Sequence, residues 1–214
     1  MKNLVFFWDG ASTPDEVSAI VGKFKRGWGY RVSLFNDESA SSFIQEEFGV
    51  EASDLFNDCR IPAMRSDLFR LMYLYVNGGI YIDVKFTPKS LPPDDILEKL
   101  MCVDMVLCRW FHGRIVNGFF AARKNSYMLN SLLDAALSNI LNKSGSNIFS
   151  ITGPGMWAKE ISGFVESEDY FVVEHDEVFK NYLNKRKFLL SGRGGGDHWS
   201  ERQKKEPLYY SDIA

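Results

Sequence analysis

Arg65-Ser66-Asp67-Leu68-Phe69-Arg70, followed after six residues by Asn77-Gly78-Gly79-Ile80-Tyr81-Ile82-Asp83-Val84-Lys85-Phe86, joins a helix pattern to a strand pattern across a pair of glycines. Apolar side chains at Met64, Leu68, Leu71, Met72 and Tyr75 recur at helical spacing and predict one buried stripe. Asp67 and Arg70 stand three apart, on the same side of that helix, at the edge of the stripe. Asn77-Gly78-Gly79 stops the helix, because glycine takes a left-handed conformation at little cost. From Ile80 the period becomes two: Ile80, Ile82, Val84 and Phe86 share one face of a predicted strand, and Tyr81, Asp83 and Lys85 the other. A strand this apolar belongs in the middle of a sheet, and an acid and a base at its carboxyl end need partners there. In open α/β sheets the ligand crevice lies beyond the carboxyl ends of strands. Asp83 and Lys85 are therefore expected at a site, with Asp67 and Arg70 brought alongside by the preceding helix.

The rest of the chain supports an α/β reading. Leu4 to Trp8 predicts a buried strand. Thr13-Pro14-Asp15-Glu16 predicts a helix start, with Thr13 as N-cap, Pro14 at the first position and Glu16 closing a capping box. Arg31 to Phe35 is a second strand, which completes a βαβ unit and implies a parallel pair. Helices are expected over Asn36 to Phe48, Val50 to Asp58, from Pro62, over Asp95 to Met101, Ser126 to Leu141, and from Thr152-Gly153-Pro154-Gly155 to about Phe164. Further extended segments are expected at Asp104 to Trp110, Arg114 to Arg123 and Tyr170 to Val173.

At 214 residues, 45% hydrophobic and 25% charged, the chain suits one globular domain over 1–214. A net charge of −3 argues against a dedicated nucleic-acid binder. Three cysteines without framework spacing fit buried thiols in a reducing, cytoplasmic compartment. The N-terminal apolar run is too short for a signal peptide, and no stretch is long enough to span a bilayer. The abrupt end at Asp212-Ile213-Ala214 would suit a piece of a longer protein.

Several features carry chemistry only in combination. Asp67 with Arg70 is by itself an ordinary i,i+3 ion pair, and Asp83 with Lys85 an ordinary charged strand end. The Thr152-Gly153 turn at a helix start would offer N–H groups to phosphate. The glycine-rich run before Asp197-His198-Trp199, with Arg193, Arg202, Lys204 and Lys205 around it, has the makings of a mobile lid over 190–214. Trp8 could stack on a base or pack in the core. Cys59, Cys102, Cys108, His112 and His175 show no zinc spacing.

Taken together, Ser66-Asp67 with Arg70, Asn77 to Asp83, Asn117-Gly118-Phe119-Phe120-Ala121, Thr152-Gly153-Pro154 and the late His198-Trp199 resemble the glycosyltransferases with a DXD sugar-binding region. The family 32 enzymes of the Golgi mannosyltransferase and capsular-polysaccharide kinds are most similar, and the glucosylating bacterial toxins more distantly so. The resemblance implies a GT-A fold, with a mixed, mostly parallel sheet flanked by helices. It implies hexose transfer from a nucleoside diphosphate sugar to a hydroxyl of a glycan or glycoprotein, with retention. UDP is favoured by Trp8, and GDP is left open. Asp67 and Arg70 would bind the donor sugar and its phosphate side, Tyr81 would line the ribose and phosphate, Asn117 would touch the sugar, and Trp199 would close over the diphosphate. Asp83 would be the first DXD acid, holding Mn2+ or Mg2+ together with His198.

Lys85 stands where the family has its second acid. Two outcomes follow: Lys85 contacts the diphosphate and takes over part of the cation's work, or a metal binds through Asp83 and His198 with Lys85 swung aside. A catalytically impaired module that binds a glycan or sugar nucleotide is the first alternative, and a nucleotidyltransferase the second.

Overall fold

The computed structural model describes residues 2–10, 12–185 and 199–213. A parallel unit opens it: β1 (Asn3–Phe7), α1 (Asp15–Gly27) and β2 (Arg31–Phe35), with β1 and β2 paired in register from Asn3 with Arg31 to Phe7 with Phe35. The capping box predicted at Thr13 does not form. Pro14 is the N-cap, in extended backbone and without a side-chain cap, and Asp15 and Glu16 instead face the positive end of the helix. A reciprocal capping box occurs one helix later, between Asn36 and Ser39 at the start of α2 (Asp37–Phe48).

Next come α3 (Val50–Asp58) and α4 (Pro62–Asn77), then β3 (Gly79–Ile82). Gly78 and Gly79 have φ of +62° and +109°. A side chain at Gly79 would run into the Asn3 carbonyl, so the tight turn between helix and central strand requires glycine. β3 stops at Ile82, four residues short of the predicted end. Asp83 to Phe86 is a turn, closed by Phe86 N–H on the Asp83 carbonyl at 3.1 Å. The chain re-enters extended structure as β4 (Phe86–Pro88), which pairs with a strand near the end of the continuous region, β8 (Leu183–Lys185), in a separate two-stranded sheet.

Between them lie α5 (Asp94–Lys99), β5 (Met105–Arg109), β6 (Ile115–Ala122), α6 (Tyr127–Leu141), α7 (Ile148–Ile151), α8 (Pro154–Ile161), β7 (Tyr170–Glu174) and α9 (His175–Asn181). The six-stranded sheet has the order β2-β1-β3-β6-β5-β7, with only β6 antiparallel to its neighbours. Alternation along each strand gives it two cores. Val5, Phe7, Tyr81, Leu107 and Phe120 face α2 to α4 and α6 to α8, while Leu4, Phe6, Ile80, Ile82 and Val106 face α1 and its neighbours.

The predicted lid divides. Residues 190–198 lie outside the described residues, whereas α10 (Trp199–Arg202) and the tail after it dock on the body. Tyr209 is buried and bridges to Cys59, Arg60 N–H bonds the Leu208 carbonyl at 2.8 Å, and Ser211 bonds Asp58. No helix among the described residues is long and apolar enough to cross a membrane.

Candidate active site

α4 and β3 run antiparallel on either side of the glycine turn. Eleven residues of helix at about 1.5 Å each, and five of strand at about 3.3 Å each, reach about the same distance from Gly78. Asp67 and Asp83 are therefore level with each other. Tyr81 lies on the face of the sheet that α4 covers, and the Asp83 carboxylate just beyond the strand faces Arg70 of that helix.

The four charges expected to converge do so in one row. Arg70 Nη2 is 3.1 Å from Asp67 Oδ1 and 3.7 Å from Asp83 Oδ1, and Lys85 Nζ is 2.7 Å from Asp83 Oδ2. The row is graded in exposure: the Asp67 and Arg70 side chains are 8% and 5% exposed, Asp83 22% and Lys85 47%. A ligand arriving from solvent meets Lys85 and Asp83 first.

Asp67 and Arg70, expected at the edge of a stripe, are fully enclosed because distant segments cover them. Asn117 of β6 donates to Asp67 Oδ1 at 2.9 Å, and Thr152, between α7 and α8, donates to Asp67 Oδ2 at 2.9 Å. Arg70 donates to the Asn117 carbonyl, to the Ser66 carbonyl at 3.0 Å and to Ser66 Oγ at 2.7 Å. Its guanidinium lies 4.3 Å from the centre of the Tyr81 ring.

Tyr81 was expected to line a ribose. It is instead 1% exposed, and its hydroxyl is engaged with Ser66 Oγ at 2.9 Å and Asp83 Oδ1 at 3.1 Å, so it positions the carboxylate from beneath. The Thr152-Gly153 turn is also not an open phosphate cradle. Both residues are buried, both backbone N–H groups bond the Ile148 carbonyl, at 3.1 and 2.9 Å, and Pro154 has none to offer. Thr152 acts on the site through Asp67.

Two acids share one buried guanidinium, and the second cation decides how they titrate. Burial and the nearby Asp83 push Asp67 up to about 6 against the pull of Arg70, Thr152 and Asn117. Burial acts on Asp83 in the same direction, but Lys85, Arg70 and the Tyr81 hydroxyl outweigh it and hold Asp83 below the usual carboxylate range.

Gly118 has no chemistry of its own but shapes the site. A Cβ there would sit 2.5 Å from Asp83 Oδ2 and 3.5 Å from Lys85 Nζ, and its carbonyl accepts Asp83 N–H at 2.9 Å. A glycine inside a strand pattern is the signal that could have revealed this close approach. Ser66, bonded to both Arg70 and Tyr81, carried no such signal.

Trp8 follows β1. The register that pairs Val5 with Tyr81 sets it on the same sheet edge as Asp83, and it is 8% exposed. Trp199 packs against the α4-side core. His198, the expected metal ligand, and Asp197 lie outside the described residues.

Residues 14–100, which hold α1 to α5 and the whole charged row, match the family described as glycosyltransferase sugar-binding region containing DXD motif. Among solved structures, the chain described as PaToxG Glycosyltransferase superposes with a TM-score of 0.54 at 19% identity, over 76% of this chain and 69% of that one. The fold is GT-A. The UDP-bound glycosyltransferase domain from the YGT toxin (TM-score 0.45, 13% identity, 72% of this chain) is also similar. So is the catalytic domain of alpha-toxin from Clostridium novyi (TM-score 0.47, 12% identity, 76% of this chain). The chain spans 56% and 63% of those two, less than two thirds of their length. No curated protein sequence matches the chain.

A DXD motif of the kind the family model describes would bring a divalent cation to Asp83, but Asp83-Val84-Lys85 has only the first acid. The described residues do not fit such a cation. No three His, Cys, Asp or Glu side chains among them come together to hold a metal. Both Asp83 oxygens are engaged, Oδ1 by Tyr81 and Arg70 and Oδ2 by the Lys85 ammonium.

Proposed function

We propose that this chain is a hexosyltransferase that moves a sugar from a nucleoside diphosphate donor to a hydroxyl of a glycan or glycoprotein. The observation that carries the proposal is the alternating row Asp67–Arg70–Asp83–Lys85 at the carboxyl end of β3, inside the segment that matches a sugar-binding region. Breaking the bond from sugar to diphosphate places negative charge on the leaving oxygens. Fixed cations in a partly dry site stabilise that charge more than water can. Arg70 and Lys85 supply the positive charge, and Asp83, held by Tyr81, accepts hydrogen bonds from sugar hydroxyls. Asn117, which donates to Asp67, is assigned to the donor sugar. Trp8 is assigned to the base, which favours UDP over GDP, and Trp199 to the diphosphate side.

Retention is the stereochemistry that the family resemblance implies. Asp67 is surrounded by donors and cannot serve as a nucleophile, and Asp83 is paired with a cation. A front-face departure and attack through an oxocarbenium-like state then needs no enzyme carboxylate.

The test is a panel of UDP- and GDP-sugars scored by thermal shift and by the nucleotide released. The expected result is stabilisation by one donor class and release of nucleoside diphosphate, with the anomeric configuration of the product kept. Release of inorganic diphosphate would instead identify a nucleotidyltransferase. One observation favours a second reading, a module that binds the donor without turning it over: Lys85 replaces an acid. Binding without hydrolysis or transfer to any acceptor would establish it.

A further inference from the structure

We infer that Lys85 is a built-in counter-ion for the donor's diphosphate, occupying the place at Asp83 where a GT-A site would hold a divalent metal, so that nucleotide binding by this chain does not depend on metal. The inference rests on the donor reading above and deepens it.

Three observations carry it. The first is occupancy of the carboxylate. Lys85 Nζ lies 2.7 Å from Asp83 Oδ2, while Oδ1 accepts from the Tyr81 hydroxyl at 3.1 Å and faces Arg70 at 3.7 Å. On its other side Oδ2 backs onto Gly118, where an added methyl carbon would stand only 2.5 Å from it. A metal ion could reach Asp83 only by expelling the ammonium, and would then sit beside it, charge against charge.

The second is how Lys85 is held. It sits in the turn that Phe86 N–H closes on the Asp83 carbonyl. The next residues, Phe86 to Pro88, are fixed in a ladder with Leu183 to Lys185. Its ammonium lies 5.1 Å from the centre of the Phe86 ring. The backbone of Lys85 is thus anchored on both sides, and the charge is presented at one place.

The third is its outward reach. Lys85 is the most exposed member of the row, and an ammonium has three donors. With one on Asp83, two remain for phosphate oxygens. The four-carbon stem allows the ammonium to move toward them without leaving the turn. Asp83 then acts on the ligand through Lys85 as much as directly.

The experiment is isothermal titration of the chain with UDP and with GDP, in EDTA and again in excess MnCl2, for the wild type, Lys85→Asp and Lys85→Met. For the wild type, the affinity for the nucleotide that binds is expected to agree within about twofold in the two buffers. Lys85→Met should lose about tenfold or more in both, the size of one or two charge-assisted hydrogen bonds. Lys85→Asp restores the second acid and should lose as much in EDTA but recover in MnCl2. Circular dichroism melts show that each variant is folded. A wild-type affinity that rises tenfold or more with MnCl2 overturns the inference and leaves the transferase reading standing. So does a Lys85→Asp variant that binds normally in EDTA. Absence of UDP and GDP binding in either buffer overturns the donor reading itself, and this inference with it.

Discussion

Replacing Asp67 by asparagine pits two large effects against each other, and the structure says which prevails. Removing one partner of a buried ion pair commonly costs about 3–5 kcal/mol. That figure would apply if the attraction of Arg70 outweighed the cost of burying the charge. It does not: burial leaves the carboxyl titrating at about 6 in the fold against 3.8 when exposed. A group whose pKa is raised on folding stabilises the fold fully below its unfolded pKa, and loses that contribution as pH rises through its folded pKa. The contribution is present below pH 3.8 and gone above about 6. The difference between those two pKa values corresponds to roughly 3 kcal/mol of penalty for keeping Asp67 charged at neutral pH.

An amide fits the same bonds. Its oxygen accepts from Asn117 and Arg70, and its nitrogen donates to the Thr152 hydroxyl, which turns to accept. Arg70 keeps Ser66, the Asn117 carbonyl and Asp83. Asp67→Asn is therefore expected to match the wild type near pH 4 and to exceed it at pH 7.5, by up to about 3 kcal/mol, in urea unfolding. A variant less stable than the wild type by several kcal/mol at pH 7.5, with a gap that does not change with pH, would refute the reasoning.

Gly118→Ala places a methyl group 2.5 Å from Asp83 Oδ2 and must turn that carboxylate away from Lys85. Urea unfolding should show a loss of about 1–3 kcal/mol, and UDP titration a weakening of at least about tenfold. Arg70→Lys keeps the charge but loses the fork that reaches Ser66, Asn117 and Asp67 together. It should cost about 2–5 kcal/mol in the same assay, and a cost near zero would mean that the fork is not what organises the site. Burial pushes the Cys59 and Cys108 thiols up to about 12, while Cys102 is exposed. A thiol reagent at pH 8 should therefore find one fast cysteine in the native protein and three in urea.

By itself the sequence determined the frame. Periodicity located most helices and strands because their apolar faces alternate on their own period, and the paired glycines forced α4 to fold back along β3. Once that turn is given, the rises of helix and strand bring Asp67 and Asp83 to one level, with Arg70 one turn nearer the glycines, so this convergence was legible before any coordinates. Short elements such as α7, α9, β4 and β8 were missed because three to seven residues carry too little period to read.

The role of each charge depends on contacts made across the fold. Asp67 and Arg70 look like a surface pair until Asn117 and Thr152, 50 and 85 residues from Asp67, close over them. Tyr81 and the Thr152 turn look like ligand contacts until their donors are found engaged within the protein. Whether Lys85 would turn toward Asp83 or away was open in the sequence, because a turn, and not the alternation of a strand, sets its direction. Side-chain type and spacing fix which groups can meet. Burial and competing partners, which come from residues far along the chain, fix which of them remain to meet a ligand.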